Sequence, residues 1–558
     1  FSIEWEILPA LLARGRVGIT RQLGRGDEYL SPDHTSFDSY TGEDYKRRGT
    51  YDYTNSESLA VEGDFTLNYN KTFNDKHLLY AGLNYSLAES KEETLVISAE
   101  GFSAANKKHL GMAAAYAQGG KPQGDEEHSR RLGGILNLNY TYDHRYFADA
   151  SGKLEGSSKF GSNDRMAPFW SVGIGWNLHH ESFLRDSDLF DYLRLRLSRG
   201  TTGVQNFKPY QALMTFRFFG LENYQHWQGA YLLGLGNADL SWQKTNQFNV
   251  GLEVALKNNR ARLSIDFYDK LTNDMLTDIN LPIASGFNSY KANVGEVRNR
   301  GVEISAHVNL INLRERNLLW SISGTLAHNK NKIMKISNSL AFLNSLLLEQ
   351  SGSNPSFLYK EGESMNTLYV VRSLGIDPAN GNELFLRRDG AKTYTWEASE
   401  KVPCGVNEPL AWGTFSSRFR YRGLSLNVVF GYRTGGYSYN QTLVDKVENN
   451  DPWRNGDRRQ FTDRWQKPGD RAYFKSVRNT SYTYASSRFV MKENTLECRT
   501  VNIDYEFNPA WLAKHLSFDH LSAGIYAEDL FRVSTIKQER GLYYPFARKF
   551  SLAIAARF

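Results

Sequence analysis

The sequence predicts an all-β chain, a transmembrane antiparallel β-barrel, and three observations carry that prediction. Apolar and polar residues alternate with a period of two in segment after segment. The turns between these segments are in part tight Asn, Asp or Gly dipeptides and in part long polar connections, the two kinds alternating along the chain. No apolar run approaches the roughly 20 residues that a membrane helix needs; the longest are 8–13 and the broken run 340–348.

Taken along the chain, the first tight turns are Asn74 with Asp75 and Asp143 with His144. Phe248, Val250, Leu252, Val254 and Leu256 then alternate with Asn249, Gly251 and Glu253, and Asn258-Asn259 turns the chain into Leu263, Ile265 and Phe267, a hairpin signal. Phe415, Phe419 and Tyr421 alternate with Ser416, Arg418 and Arg420, and Arg422-Gly423 leads into Leu424, Leu426, Val428, Phe430 and Tyr432. An arginine row behind an aromatic row needs water on one side, which either a sandwich surface or a wide barrel lumen supplies. The last strand sets Phe550, Leu552, Ile554 and Phe558 against Lys549, Ser551 and Arg557. Its alternation and terminal Phe resemble the signal by which outer-membrane barrels are recognised for assembly.

Connection lengths separate barrel from sandwich. Long polar connections are expected at 24–57, 90–131, 201–244, 272–299, 329–365 and 436–494, and short turns on one side with long loops on the other is the outer-membrane pattern. Strict alternation of sides fails once, between 329 and 410, if only Thr367–Ile376 crosses there, so a further strand is expected within 383–396, where Asp389-Gly390 marks a turn. The expected total is about nineteen strands of the 9 to 11 residues needed to cross. With the C-terminus in the periplasm, every long connection is extracellular.

Composition excludes several function classes. Lys and Arg number 67 against 61 Asp and Glu, a net charge of +6, but the two signs are mixed along the chain, which argues against nucleic acid. A mean hydropathy of −0.53 fits a wall with one lipid face and one wet face as well as it fits a water-soluble protein. Cys404 and Cys498 are far apart and read as two isolated thiols. No GxSxG, P-loop or HExxH pattern occurs, so no catalytic, cofactor or metal residue is expected. His179-His180-Glu181 reads as a periplasmic turn, and the oxygen-rich stretch from Asp377 to Glu383 as a structural turn lacking the spacing of a calcium loop. The chain opens on Phe1 without Met, as expected of a mature or truncated form.

Several blocks resemble the SusC/RagA-like TonB-dependent transporters of Bacteroidetes. They include Leu154-Glu155-Gly156-Ser157-Ser158-Lys159-Phe160-Gly161, Asn237-Ala238-Asp239-Leu240-Ser241-Trp242, Asn293-Val294-Gly295-Glu296-Val297-Arg298-Asn299-Arg300-Gly301, Gly375-Ile376-Asp377-Pro378, and Asp463-Arg464-Trp465-Gln466-Lys467-Pro468-Gly469-Asp470. The resemblance implies a barrel of about twenty-two strands with a plugged lumen. On that reading residues 1–558 are one incomplete barrel domain, without the plug and about three strands. It further implies import of glycan or peptide fragments across the outer membrane, powered through TonB and assisted by a SusD-like surface lipoprotein. Siderophore receptors share the barrel, and a passive porin or adhesin is the other alternative.

The candidate contacts lie in the long connections. Phe207, Tyr210, Phe216, Phe218, Tyr224, Trp227 and Tyr231 give one of them an aromatic density unusual for a solvated loop. They are read as partner-contact or barrel-packing residues ahead of sugar-stacking ones. Trp453 and Trp465, with Arg454 beside them, are candidates to face an acidic ligand or lipopolysaccharide phosphates, a solvated loop held by local ion pairs being an equal alternative. Membrane lipid is the remaining expected partner.

Overall fold

The computed structural model describes residues 1–558 except 107, 118–119, 206, 225–226, 281–286, 288, 294, 451–456, 517, 538–546 and 558. An 18-stranded antiparallel sheet dominates it. One member, Ala115–Tyr116, is a two-residue strand inside a connection; the others follow one another in chain order. They are β1 (Ser2–Leu8), β2 (Leu11–Leu30), β3 (Thr50–Phe73), β4 (His77–Glu100), β5 (Gln123–Tyr142), β6 (Tyr146–Ser157), β7 (Met166–Asn177), β8 (Phe190–Val204) and β9 (Gln243–Leu256). The second half is β10 (Ala261–Asn273), β11 (Glu296–Leu313), β12 (Leu318–Lys335), β13 (Ala411–Tyr421), β14 (Leu424–Tyr439), β15 (Val490–Glu506), β16 (His520–Ser534) and β17 (Lys549–Arg557). Among the described residues β1 pairs only with β2, and β17 only with β16.

The tight turns are where the sequence puts them, and their backbone explains their composition. Asn74 and Asp75 have φ of 49° and 55°, Asp143 and His144 of 48° and 57°, and Asn258 and Asn259 both 59°. Asn and Asp tolerate consecutive left-handed residues best after Gly; here these close loops of three residues at 74–76 and 143–145 and of four at 257–260, between Phe73 and His77, Tyr142 and Tyr146, and Leu256 and Ala261.

Registers turn the alternation into rows. From β8 to β12, Leu195, Leu252, Ile265, Ile304 and Leu326 lie side by side across five strands. The row below holds Leu193, Val254, Leu263, Ala306 and Gly324, and the row above Leu197, Val250, Phe267, Val302 and His328. These residues face outward as an apolar band. Between them, Asn249, Glu253, Ser264, Asp266, Ser305 and Ser323 face the lumen, where Arg196 bonds Asp266 at 2.5 Å and His307 bonds Ser323 at 2.8 Å.

Two expectations are corrected. The first is the number of crossing strands: β12 pairs directly with β13, from Leu318 opposite Tyr421 to Ala327 opposite Trp412, so neither Thr367–Ile376 nor Glu383–Leu386 crosses. Instead of about nineteen strands, seventeen make the wall among the described residues. The parity mismatch is resolved by removing a strand from 329–410, not by adding one. Thr367, Leu368, Tyr369, Val370 and Val371 are all buried, as in the middle of a small core, whereas a wall strand buries neither face in its own chain. The second correction concerns loop length. β2, β3, β4 and β5 continue through stretches expected to be loops, pairing as far as Leu30 opposite Thr50 and Thr50 opposite Glu100. Cross-strand ion pairs such as Arg21 with Glu57 at 2.7 Å hold them above the apolar band, so the intervening connections shrink to 31–49 and 101–122. No described helix is long and apolar enough to cross a membrane.

Placing Arg at Ile304, in the middle of the band, is expected to destabilise the folded wall by about 2–4 kcal/mol. Ser305→Arg, one residue on and lumen-facing, is expected to cost far less. Urea titration of the full-length protein in lipid vesicles measures both, and equal losses would contradict the facing assigned here.

Candidate functional site

The long connections on the extracellular side do not spread as separate loops. The described residues of 336–410 and 440–489 together build a small folded module. Its helix α1 (Asn338–Glu349) starts at Ser337, whose hydroxyl accepts from the Leu340 amide, the usual way of satisfying a first-turn N–H. At the other end the buried Lys401 ammonium donates to the carbonyls of Leu347 and Gln350 at 2.9 and 2.6 Å and to the Ser356 hydroxyl at 2.9 Å. Burial holds that ammonium below the usual lysine range, and helix-end carbonyls suit a cation.

Thr367–Ile376 is the central strand of the module, flanked by Lys401–Val406 and Glu383–Leu386. Leu368 and Val370 pack with Leu443, Val444, Val447, Phe474, Ala485 and Phe489 from the second connection. Beneath this apolar contact sits Arg488, only 3% exposed. It donates to Glu383 of the first connection and to Glu448 of the second, both at 2.8 Å, and to the Tyr473 carbonyl at 2.7 Å. Glu448 also accepts from the Lys475 amide and the Thr483 hydroxyl, each at 3.1 Å. Ser486 donates to Glu383 at 2.6 Å. Each buried charge thus has a hydrogen-bonded partner, the condition for tolerating it. Burial pushes the Tyr473 hydroxyl up to about 12 and the Lys475 ammonium down.

Trp465 belongs to this module. Its indole N–H donates to the Pro378 carbonyl at 2.8 Å, and its ring lies where a Cβ on Gly381 would come within 2.5 Å. Gly381, at a φ of 73°, lets the 377–382 turn approach that ring; the Asp377 side chain closes the same turn by accepting from the Ala379 amide at 2.8 Å. Trp465 therefore bridges two connections. Trp453 and Arg454 lie outside the described residues.

The aromatic connection between β8 and β9 divides in two. Phe207 is buried against Phe160, Phe169, Leu240 and Trp242, with its ring edge-on to Phe160 at 5.0 Å, so it secures the base of the connection. Beyond it Tyr210 takes a φ of 68°, and Thr215–Tyr224 and Trp227–Gly234 form a hairpin paired, among the described residues, only with itself. Tyr224 stands opposite Trp227 in its register, and Tyr231 opposite Arg217. Phe216, Phe218 and Trp227 are 60%, 64% and 79% exposed. Phe216 and Phe218 share one face of the hairpin with Leu232 and Ala230, and Trp227 falls on the other; exposed aromatics of this kind mark contact surfaces.

Elsewhere, Phe550, Leu552 and Ile554 of the expected assembly signal are exposed on one face of β17; Phe558 lies outside the described residues. His179 and His180 sit in a single helical turn between β7 and β8, and Glu181 accepts there from Tyr146 and Trp176 at 2.8 and 2.9 Å. Both cysteines are free thiols. Sequence reasoning misses the module itself. The signal for it is the short apolar run from Leu368 to Val371, which does not alternate.

Replacing Arg488 with Met leaves Glu383 buried with the Ser486 hydroxyl but no cation, and Glu448 with Lys475 at 3.8 Å as its remaining cation, an expected cost of about 3 kcal/mol. Limited proteolysis should then cut within 336–410 or 440–489 while the wall keeps its resistance to heat in detergent. Unchanged protection of these connections would show that the apolar core alone holds them.

The comparisons with known proteins agree with this geometry. Residues 12–366 match the family described as TonB dependent receptor-like, beta-barrel. TonB-dependent receptor P39 of Formosa agariphila is 24% identical over 95% of this chain and 54% of its own length. TonB-dependent receptor SusC of Bacteroides thetaiotaomicron is 25% identical over 70% of this chain and 39% of its own. The chain spans about half the length of the curated relatives it matches. Among solved structures, that of the RagAB peptide transporter matches 100% of this chain and 61% of its own with a TM-score of 0.84 at 21% identity. A seventeen-strand wall with a folded extracellular module, matched over more than half its length by that family, makes this chain a member of the TonB-dependent receptor β-barrels of the bacterial outer membrane, of the SusC/RagA-like kind.

Proposed function

We propose that the chain is the barrel part of an energised importer of glycan or peptide fragments, acting with a SusD-like lipoprotein and drawing energy through TonB. The observation that carries this reading is the match of the whole sheet to a peptide transporter, combined with long connections folded into a preformed module on the extracellular side. A passive pore needs no such module. The exposed aromatics on the two faces of the β8–β9 hairpin supply contact surface of the kind a lipoprotein lid would cover, since aromatics are enriched in protein interfaces.

The single-partner edges of β1 and β17 support a second part of the proposal. Unpaired strand edges are not tolerated in hydrocarbon, so the strands that pair them, and the plug that gates the lumen, belong to length of the protein outside these 558 residues.

Native purification of the full-length protein from detergent-solubilised outer membranes tests the proposal, with co-purifying chains and small molecules identified by mass spectrometry. A stoichiometric lipoprotein with an oligosaccharide or peptide is expected. A barrel that comes down alone, from cells that lose no growth on any oligomeric nutrient when it is deleted, would overturn the reading. Phe216→Ser combined with Phe218→Ser and Trp227→Ser should lower retention of the lipoprotein about tenfold or more, as expected when interface aromatics are truncated. Barrel yield should be unchanged.

A further inference from the structure

We propose that the outer face of β11 and β12, just above the apolar band, binds the phosphate of an outer-leaflet glycolipid. The registers place two like-charge pairs directly across from one another there: Arg300 opposite Lys330, and Arg298 opposite Lys332. Like charges opposite each other across a ladder are destabilising, and here two such pairs are stacked. All four residues continue the outward-facing row of Val302 and Ile304 on β11 and of Leu326 and His328 on β12. The residues between them, Asn299 and Asn331, bond each other on the lumen side at 2.9 Å.

Among the described residues the one carboxylate within ion-pair distance of these four cations is Asp269 on β10. It pairs with Arg298 at 2.5 Å and Arg300 at 2.9 Å. Among those residues Lys330 and Lys332 make no ion pair, and both are exposed. Glu363 and Glu408 line the cleft of about 810 Å³ that these lysines border, but Glu363 accepts from Tyr369 and Glu408 from Asn329. Four cations against one carboxylate leave a local excess of positive charge. The row extends further, since Arg300 continues through Asp269 and Phe248 to the exposed Arg199 on β8.

On β2 to β5, at the same level of the outer face, each of three cations has a carboxylate partner. Arg21 has Glu57, Lys91 has Glu93 and Glu126, and Arg130 has Glu89. The unbalanced site therefore sits on one sector of the wall. Its height identifies the occupant. Arg300 and Lys330 stand two residues beyond the last apolar row, about 7 Å along the strand, at the level where hydrocarbon gives way to headgroups. An anion held there by Arg forks while its acyl chains lie on Phe267, Val302 and Leu326 is a phosphorylated lipid of the outer leaflet, not a soluble phosphate.

The test places full-length protein in phosphatidylcholine nanodiscs doped with monophosphoryl lipid A or with its dephosphorylated form, and counts retained lipid by native mass spectrometry. The wild type should enrich the phosphorylated lipid, and Arg300→Gln with Lys330→Gln should lower that enrichment about 30-fold, the effect of two cations at an anionic surface. Arg21→Gln with Glu57→Gln, a balanced pair at the same level, serves as control and should leave it intact. Should the first variant fail to fold, Arg298→Gln with Lys332→Gln probes the neighbouring pair. Equal enrichment of the dephosphorylated lipid, no loss in the variants, or displacement by inorganic phosphate would each overturn the proposal.

Discussion

Everything in this protein follows from one constraint: a chain that crosses hydrocarbon must satisfy its backbone N–H and C=O groups internally. Strands can do so only by pairing along their whole length, which makes the wall a continuous antiparallel sheet. The pleat then gives each strand two faces and assigns alternate residues to lipid and lumen. From this come the rows that run across β8 to β12, and the confinement of everything irregular to the two ends. It also explains why the sites of interest lie on the extracellular connections. Within the wall, a binding side chain is limited to every second position.

The extracellular module meets the opposite problem. It is irregular and wet, so it must supply its own core. Leu368, Val370, Val444, Val447 and Phe489 provide the apolar part, and Arg488 joins the two connections through Glu383 and Glu448. A buried ion pair contributes little net stability compared with apolar packing, but it is intolerant of misalignment. In this module its effect is positional: it fixes one connection against the other in a single arrangement. Trp396 adds a second link, stacking on Tyr484 at 4.5 Å and donating to the Ala485 carbonyl at 2.9 Å. A surface pre-organised in this way can present contacts without spending ordering entropy on each binding event.

How much of this is legible in the sequence depends on whether a residue's role is local. Asn258-Asn259 declares a hairpin because the φ it needs is a property of those two residues. Ile304 declares an outward position because its neighbours alternate. Thr367–Ile376 misleads because a strand of wall length reads as a strand of the wall; its pairing partners, Glu383–Leu386 and Lys401–Val406, are set by tertiary contact. The same holds at the candidate site. Phe207 and Trp227 look alike in sequence, yet one is buried against Phe160 and Trp242 and the other stands in water. Trp465 reads as a candidate contact because arginines flank it, while the bond from its indole N–H to the Pro378 carbonyl of the other connection has no local signature. Long-range pairing separates these cases, and no local pattern records it.

The exposed hairpin can be taken one step further by magnitude. Three aromatics that would each bury 150–250 Å², about two-thirds exposed, leave on the order of 400 Å² of ring surface in water. At about 25 cal/mol/Å² that is roughly 10 kcal/mol of gross driving force for covering them. Bringing two bodies together costs about 4–15 kcal/mol before any contact is counted, so these rings alone barely offset their own association. A single sugar or short peptide stacked on Trp227 would also cover only part of that surface. These magnitudes favour a role as part of a larger protein interface, in which other contacts add the remaining area. That agrees with reading these residues as partner contacts ahead of substrate contacts.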